Sequence, residues 1–178
     1  MRGRIGSGLL LLMLAGTAIS LRAQSTPQRV IMPPAAMMEA AWPTLDGSRR
    51  QLRDFHGKVL VVDLWATWGG PCRIEIPHLT ALASELKSKG VRVVGLTTED
   101  PVADLDRVRR FAGEFKINYP IGFASGELSS YLFQGAGTIP QTYVFARDGR
   151  LIRRFIGFNP QTTPAQLRIA VDEALSIK

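Results

Sequence analysis

The chain of 178 residues carries one cysteine, Cys72, so no disulfide can close within it. It has two histidines, His56 and His78, and they are not spaced as metal ligands. A C-x-x-C-H haem signature and a phosphate-binding glycine loop are both missing. The N-terminal apolar run, residues 8–19, falls short of the roughly 20 residues that a membrane span needs. No cysteine stands between that run and Cys72, so a lipoprotein anchor is not expected. The formal charge of +7 comes from scattered arginines without interleaved aromatics. Such a pattern reads as a solvated face, and a nucleic-acid partner is not expected.

What is present is the composition of a globular domain, with 46% hydrophobic and 21% charged residues. The length allows one domain with an N-terminal extension and a sizeable core. Arg2 and Arg4 precede the apolar run, and small residues ending at Ala23 follow it. This is the order of a secretory signal peptide, expected over residues 1–23, with an uncleaved anchor as the alternative. Its removal takes away Arg2, Arg4 and Arg22 and no acid, and leaves no stable membrane span. The expected location is extracytoplasmic, periplasmic or secreted. Residues 24–40, with Pro27, Pro33 and Pro34, read as a linker, and residues 41–178 as the domain.

Within the domain the signals are regular. Asp46-Gly47 is a turn dipeptide. The apolar run at 59–65 predicts a central strand covered on both faces. Leu79, Leu82, Ala83 and Leu86 form one stripe of a helix that starts after Pro71 and should kink or restart at Pro77. Gly90 ends it, and 91–96 is the next strand. Asp100-Pro101 predicts the start of a second helix, with Leu105, Val108, Ala112 and Phe115 facing inward. A shorter helix is expected over 126–133. Strands at 142–146 and 151–156 flank the turn at Arg147-Asp148-Gly149-Arg150. Thr163-Pro164-Ala165-Gln166 has the form of a capping box before a last helix. The expected architecture is α/β, a mixed central sheet with helices on both faces and an N-terminal strand extension.

Three segments stand out together: Lys58 to Trp68 (KVLVVDLWATW), Gly70-Pro71-Cys72-Arg73-x-Glu75-x-Pro77, and Gly137-Thr138-Ile139-Pro140-Gln141-Thr142. Their order and separation resemble the exported TlpA/ResA-type thioredoxin-like proteins, a family of thiol-disulfide oxidoreductases. The resemblance runs from about Trp42 to the C-terminus and implies a thioredoxin-like fold. It also shows a departure. The family has C-G-P-C at its active site, and this chain has Gly69-Gly70-Pro71-Cys72.

The resemblance assigns the roles. In the family the first cysteine is the exposed nucleophile, and the second resolves the mixed disulfide. Gly69 therefore stands at the degenerate nucleophile position, and Cys72 keeps the resolving one. Asp63 matches a buried acid that relays a proton to and from the second cysteine. Ile139-Pro140 resembles the cis-proline loop that faces the active-site turn and, with Trp68, Gly70 and Pro71, borders the substrate groove. Neither a metal nor another cofactor is implied. The implied partners are protein or small-molecule thiols and disulfides. Arg73 and Glu75 read either as solvated charges near the helix dipole or as site residues.

Magnitudes argue against a fast thiolate. A free cysteine has a pKa of about 8.5. A helix terminus contributes about 0.3–1 kcal/mol, less than one pKa unit. Burial and a neighbouring acid push the other way, so Cys72 is expected to be slow and mostly protonated. Three readings follow. The first is an attenuated oxidoreductase limited to monothiol mixed-disulfide chemistry through Cys72. The second is a non-catalytic partner-binding protein that keeps the groove. The third is a one-cysteine peroxidase, although Gly69 lacks the threonine hydroxyl that peroxiredoxins have there.

Overall fold

The computed structural model describes residues 33, 35–124 and 126–177. The expected signal peptide and most of the expected linker lie outside the described residues. A short helix, α1 (Ala35–Glu39), stands in the last part of that linker. Its Met37 and the following Ala40 are buried in the same cluster as Leu60 and Val62, which corrects the linker reading for these residues. Apolar side chains on one helical turn suffice to dock it, although the turn is too short to show a periodicity in the sequence.

A two-stranded extension follows, β1 (Trp42–Pro43) paired antiparallel with β2 (Arg49–Arg50) around the Asp46-Gly47 turn. The main elements are β3 (Val59–Trp65), α2 (Gly70–Leu86), β4 (Val91–Thr97), α3 (Leu105–Glu114) and β5 (Ile121–Phe123). Then come α4 (Gly126–Phe133), β6 (Gln141–Phe145), β7 (Leu151–Ile156) and α5 (Thr163–Ser176). The five-stranded sheet has the order β5-β4-β3-β6-β7. β3, β4 and β5 run parallel, and β6 and β7 run antiparallel to their neighbours. The expected α/β architecture with a mixed sheet is therefore what the chain forms.

Strand β3 is buried along its whole length, which accounts for its unbroken apolar run. Its alternate residues serve two cores. Val59 and Val61 pack with Leu79, Leu82 and Leu86 of α2 and with Leu167, Ala170 and Val171 of α5. Leu60, Val62 and Leu64 pack on the other face with Leu128 and Leu132 of α4. A third cluster joins Trp65 and Cys72 to Val108 and Phe111 of α3 and to Ile121 and Phe123 of β5. The first residues of α2 are thus fixed from the sheet below and from α3 beside them.

Several local expectations need correction. Helix α2 runs through Pro77 without interruption. Its apolar stripe, continued by Ile76, is held on both sides of that residue. Helix α3 begins at Leu105 with Asp104 as its N-cap. Asp100 instead accepts from the N–H groups of Val102 and Ala103, closing a separate turn ahead of the helix. Phe111, absent from the expected inward set, is buried. The N-cap of α5 is Thr162, and the Thr163 hydroxyl accepts from the Asn159 N–H at 3.0 Å. Strand β5 is three residues long, too short for alternation to reveal it.

Candidate active site

Strand β3 ends at Trp65, and the chain turns through Ala66-Thr67-Trp68-Gly69 into α2. The Gly69 N–H donates to the Ala66 carbonyl at 3.1 Å, and the Arg73 N–H donates to the Gly69 carbonyl at 3.2 Å. Gly69 is the N-cap in an extended conformation, and Pro71 sits in the first turn, where a missing N–H costs little. Cys72 follows it. These bonds put the motif at a helix N-terminus, but they do not expose the thiol. Cys72 is 1% exposed and packs with Trp65 and Ile76.

The space around Cys72 bears on what a thiol can do here. A Cβ on Gly69 would stand 2.6 Å from the Cys72 sulfur, 3.2 Å from Ile139 Cδ1 and 3.3 Å from the Ala66 carbonyl oxygen. The sulfur therefore fills the room that a side chain at residue 69 would use. Ile139 reaches the same point from the loop before β6, where the Ile139–Pro140 peptide bond is cis. The Gly157 N–H donates to the Pro140 carbonyl at 2.8 Å and ties that loop to the end of β7. Gly70 has open space around it, and Trp68 is 68% exposed. Gly69, Ile139 and the Cys72 sulfur thus meet at the helix start, with the exposed Trp68 next to Gly69 in the chain and Pro140 next to Ile139.

Behind the thiol lies a pair of buried carboxyls. Asp63 is buried on β3, opposite Thr142 on β6 and Gly95 on β4. Glu75 is buried one helical turn after Cys72 and accepts a 2.5 Å hydrogen bond from the Thr142 hydroxyl. Both Asp63 oxygens, the second Glu75 oxygen, the Tyr119 hydroxyl and Trp65 Nε1 have no protein partner. At Gly95, the strand partner of Asp63, a Cβ would lie 2.9 Å from Trp65 Nε1 and 3.1 Å from the Tyr119 ring. A side chain at residue 95 would crowd both.

Titration follows from that burial. Loss of hydration pushes Asp63 well above its ordinary value, and the Glu75 charge adds to the rise. Burial pushes Glu75 up to about 7, against the Thr142 hydrogen bond that favours its charged form. Cys72 is pushed up to about 12. Burial is the main cause there; a hydrogen bond at the Ala66 backbone opposes it, and Asp63 and Glu75 add to it. The helix end cannot offset a rise of that size. Tyr119 is raised as well, first by burial and then by the same two acids. The arrangement favours a protonated thiol.

Of the residues expected at the site, the structure brings Gly69, Cys72 and Ile139 into contact and sets Asp63 close enough to act on the thiol, and it adds others. Glu75 is no solvated helix-start charge. Its place three residues after Cys72, on the stripe that continues through Ile76 and Leu79, was a usable signal of burial. Thr142 closes the third of the segments that carry the resemblance, whereas Tyr119 comes from a distant loop with no local pattern to mark it. Arg73 is half-exposed, donates to the Thr67 carbonyl at 3.3 Å and lies over the rings of Phe111 and Phe115. Among the described residues no three His, Cys, Asp or Glu side chains gather as metal ligands. No helix among them is long and apolar enough to cross a membrane.

Comparisons with known proteins bear on the family and the fold. The Redoxin family model matches residues 32–171. The chain is 28% identical over 115 residues to the thiol-disulfide oxidoreductase ResA of Bacillus thuringiensis (strain Al Hakam), an alignment that covers 64% of this chain and 63% of that protein. It therefore spans somewhat less than two thirds of the length of such curated relatives. A putative thiol:disulfide interchange protein DsbE from Chlorobium tepidum superposes with a TM-score of 0.71 at 24% identity, covering 84% of this chain and 99% of that one. A thioredoxin family thiol:disulfide interchange protein from Chlorobium tepidum TLS gives a TM-score of 0.70 at 25% identity, covering 85% and 100%. The fold is thioredoxin-like.

Proposed function

The chain belongs to the Redoxin family, with a fold of the thioredoxin-like thiol-disulfide oxidoreductases, and from that premise we propose that it is an extracytoplasmic, redox-attenuated member. It binds cysteine-bearing polypeptides in the groove bordered by Trp68, Gly69, Ile139 and Pro140, and does not turn over a dithiol. The observation that carries this reading is the state of Cys72. The chain has a single cysteine, its sulfur is buried, and burial beside two acids holds it protonated. A protonated thiol is a poor nucleophile, and one thiol cannot regenerate itself through an internal disulfide. The groove residues carry no such penalty, and the exposed indole of Trp68 offers a large amphipathic contact. The same raised thiol argues against a peroxidase, which needs a thiolate.

A second reading, slow monothiol exchange, has one observation in its favour. The Cys72 sulfur points into the space left at Gly69, towards Ile139 of the groove. A Cys72 thiolate formed there would attack a partner disulfide, form the mixed disulfide and release the partner's other sulfur as a thiolate. An external thiol would then have to resolve it.

One experiment separates the two. Reduction of insulin by dithiothreitol is followed with wild type, Cys72→Ser and buffer, alongside binding of carboxymethylated insulin B chain. The expected result is binding by wild type and Cys72→Ser alike, weakened by Trp68→Ala, with no acceleration of reduction. Acceleration that disappears with Cys72→Ser would favour the second reading. Absence of binding by every form would defeat the first.

A further inference from the structure

Thr67, the residue before Trp68, has each of its polar groups held by a charged side chain. Its N–H and its hydroxyl both donate to the Glu99 carboxylate, at 3.1 and 2.5 Å. Its carbonyl accepts from Arg73. Glu99 is buried in the segment just after β4, 32 residues along the chain. It also receives the Thr97 hydroxyl at 2.7 Å, and Arg107 of α3 donates to it through Nε at 3.0 Å and Nη2 at 2.9 Å. Arg107 is itself held by Asp104 at 2.9 Å. Charge-assisted bonds of this kind are short, strong and directional.

A buried carboxylate is costly unless charge and hydrogen bonds compensate it. Here Arg107 supplies the compensating charge, and two of the five donors to the carboxylate come from one loop residue, Thr67. The neighbour of that residue is Trp68, the most exposed aromatic contact of the groove. Burial of its own ring does not fix Trp68, so its position depends on the backbone that carries it. We infer that Glu99, backed by Arg107, is the positioning residue of this groove, holding Thr67 so that Trp68 is presented in one orientation to the partner. This rests on the groove being the contact surface. A pre-ordered contact residue loses less freedom on binding, which is the gain such a clamp provides.

The test reads Trp68 directly and needs no partner. Trp42 and Trp65 are buried, so the difference between the full chain and its Trp68→Phe variant isolates the exposed indole. Glu99→Gln keeps the shape of the side chain and removes its charge and one acceptor. The expected result is at least a doubling of the fast, sub-nanosecond component of the Trp68 anisotropy decay, with higher acrylamide quenching. Emission from Trp42 and Trp65 stays blue, and unfolding stays cooperative. Thr67→Val, which removes the hydroxyl alone, gives a smaller increase and adds little in the Glu99→Gln background. An unchanged Trp68 decay in folded Glu99→Gln overturns the inference. Should that variant not fold, an unchanged decay in Thr67→Val overturns it instead. Failure to bind carboxymethylated insulin B chain with an intact clamp would count against the groove reading and leave the Glu99 result standing.

Discussion

The Cys72 sulfur stands 2.6 Å from where a Cβ on Gly69 would be, so the chain's one thiol occupies the room of the side chain its motif lacks. Gly69→Cys therefore forces a rearrangement, and the Ala66 carbonyl at 3.3 Å, being backbone, leaves the shift to the side chains. The sulfur must swing away, and the neighbouring Ile139 Cδ1 at 3.2 Å is the end of a flexible side chain. Residues 69 and 72 then sit as N-cap and first-turn residue of α2, close enough for a disulfide. Oxidised Gly69→Cys is expected to show no titratable thiol in denaturant and reduced Gly69→Cys two. Insulin reduction should appear where wild type shows none. Two free thiols after mild oxidation would show that the scaffold no longer supports the dithiol.

Alkylation of Cys72 should be very slow. With its pKa pushed up to about 12, roughly one thiol in ten thousand is ionised at pH 8. A free cysteine at the same pH is about a quarter ionised. Iodoacetamide should thus react with folded wild type roughly two thousandfold more slowly than with free cysteine at pH 8, before any further loss from burial. The rate should keep rising with pH beyond 9. A plateau beginning near neutrality would mean that the thiol is activated after all.

Trp68→Ala should separate binding from stability. The ring is largely exposed, so thermal or urea unfolding should shift by no more than about 0.5 kcal/mol. Affinity for carboxymethylated insulin B chain should fall by at least about tenfold, since truncating an aromatic hot spot costs about 2 kcal/mol or more and about 1.4 kcal/mol is already tenfold. Leu79→Ala is the counterpart. It empties a fully buried position under α2 and should cost about 2–5 kcal/mol with little specific effect on affinity at temperatures where it folds.

Much of the fold was legible because its signals are local. The run at 59–65, the stripe from Leu79 to Leu86 and the turn at Asp148-Gly149 each follow from side-chain periodicity or turn chemistry. The starts of α3 and α5 were read wrongly because two or more polar residues stand near each helix start. Which of them caps is decided by tertiary bonds such as Asn159 to Thr163. The motif put Gly69, Cys72, Asp63 and Pro140 together through a family resemblance, not through any spacing. The clamp of Glu99 on Thr67 could not be read, since residues far apart in the chain meet only through strand pairing and the loop after β4. The paired acids were half legible: Asp63 from the motif, and Glu75 only if its place on the buried stripe is given weight.

That pair makes the stability of the chain depend on pH in an unusual direction. Asp63 and Glu75 both have raised values in the fold, well above the ordinary range for Asp63 and about 7 for Glu75. In the unfolded chain they titrate near 4. Between those limits the folded protein keeps protons that the unfolded chain has released. Stability contributed by the protonated pair is therefore fully present below about pH 4 and is lost as pH rises through the folded values. The slope approaches about 1.4 kcal/mol per pH unit for each proton involved. Glu99 has the opposite sign, because its hydrogen bonds from Thr67, Thr97 and Arg107 outweigh its burial and lower its value. Its contribution is lost only as pH falls below the ordinary glutamate range. The urea midpoint should therefore decline from pH 5 to pH 8, whereas most domains are stable across that window. Asp63→Asn should flatten the decline and be more stable than wild type at pH 8. The same variant removes a negative charge that raises the Cys72 value, so alkylation at pH 9 should quicken in it. A flat wild-type midpoint across pH 5–8, or an Asp63→Asn profile parallel to wild type, would show that the two acids are not the buried, proton-holding pair described.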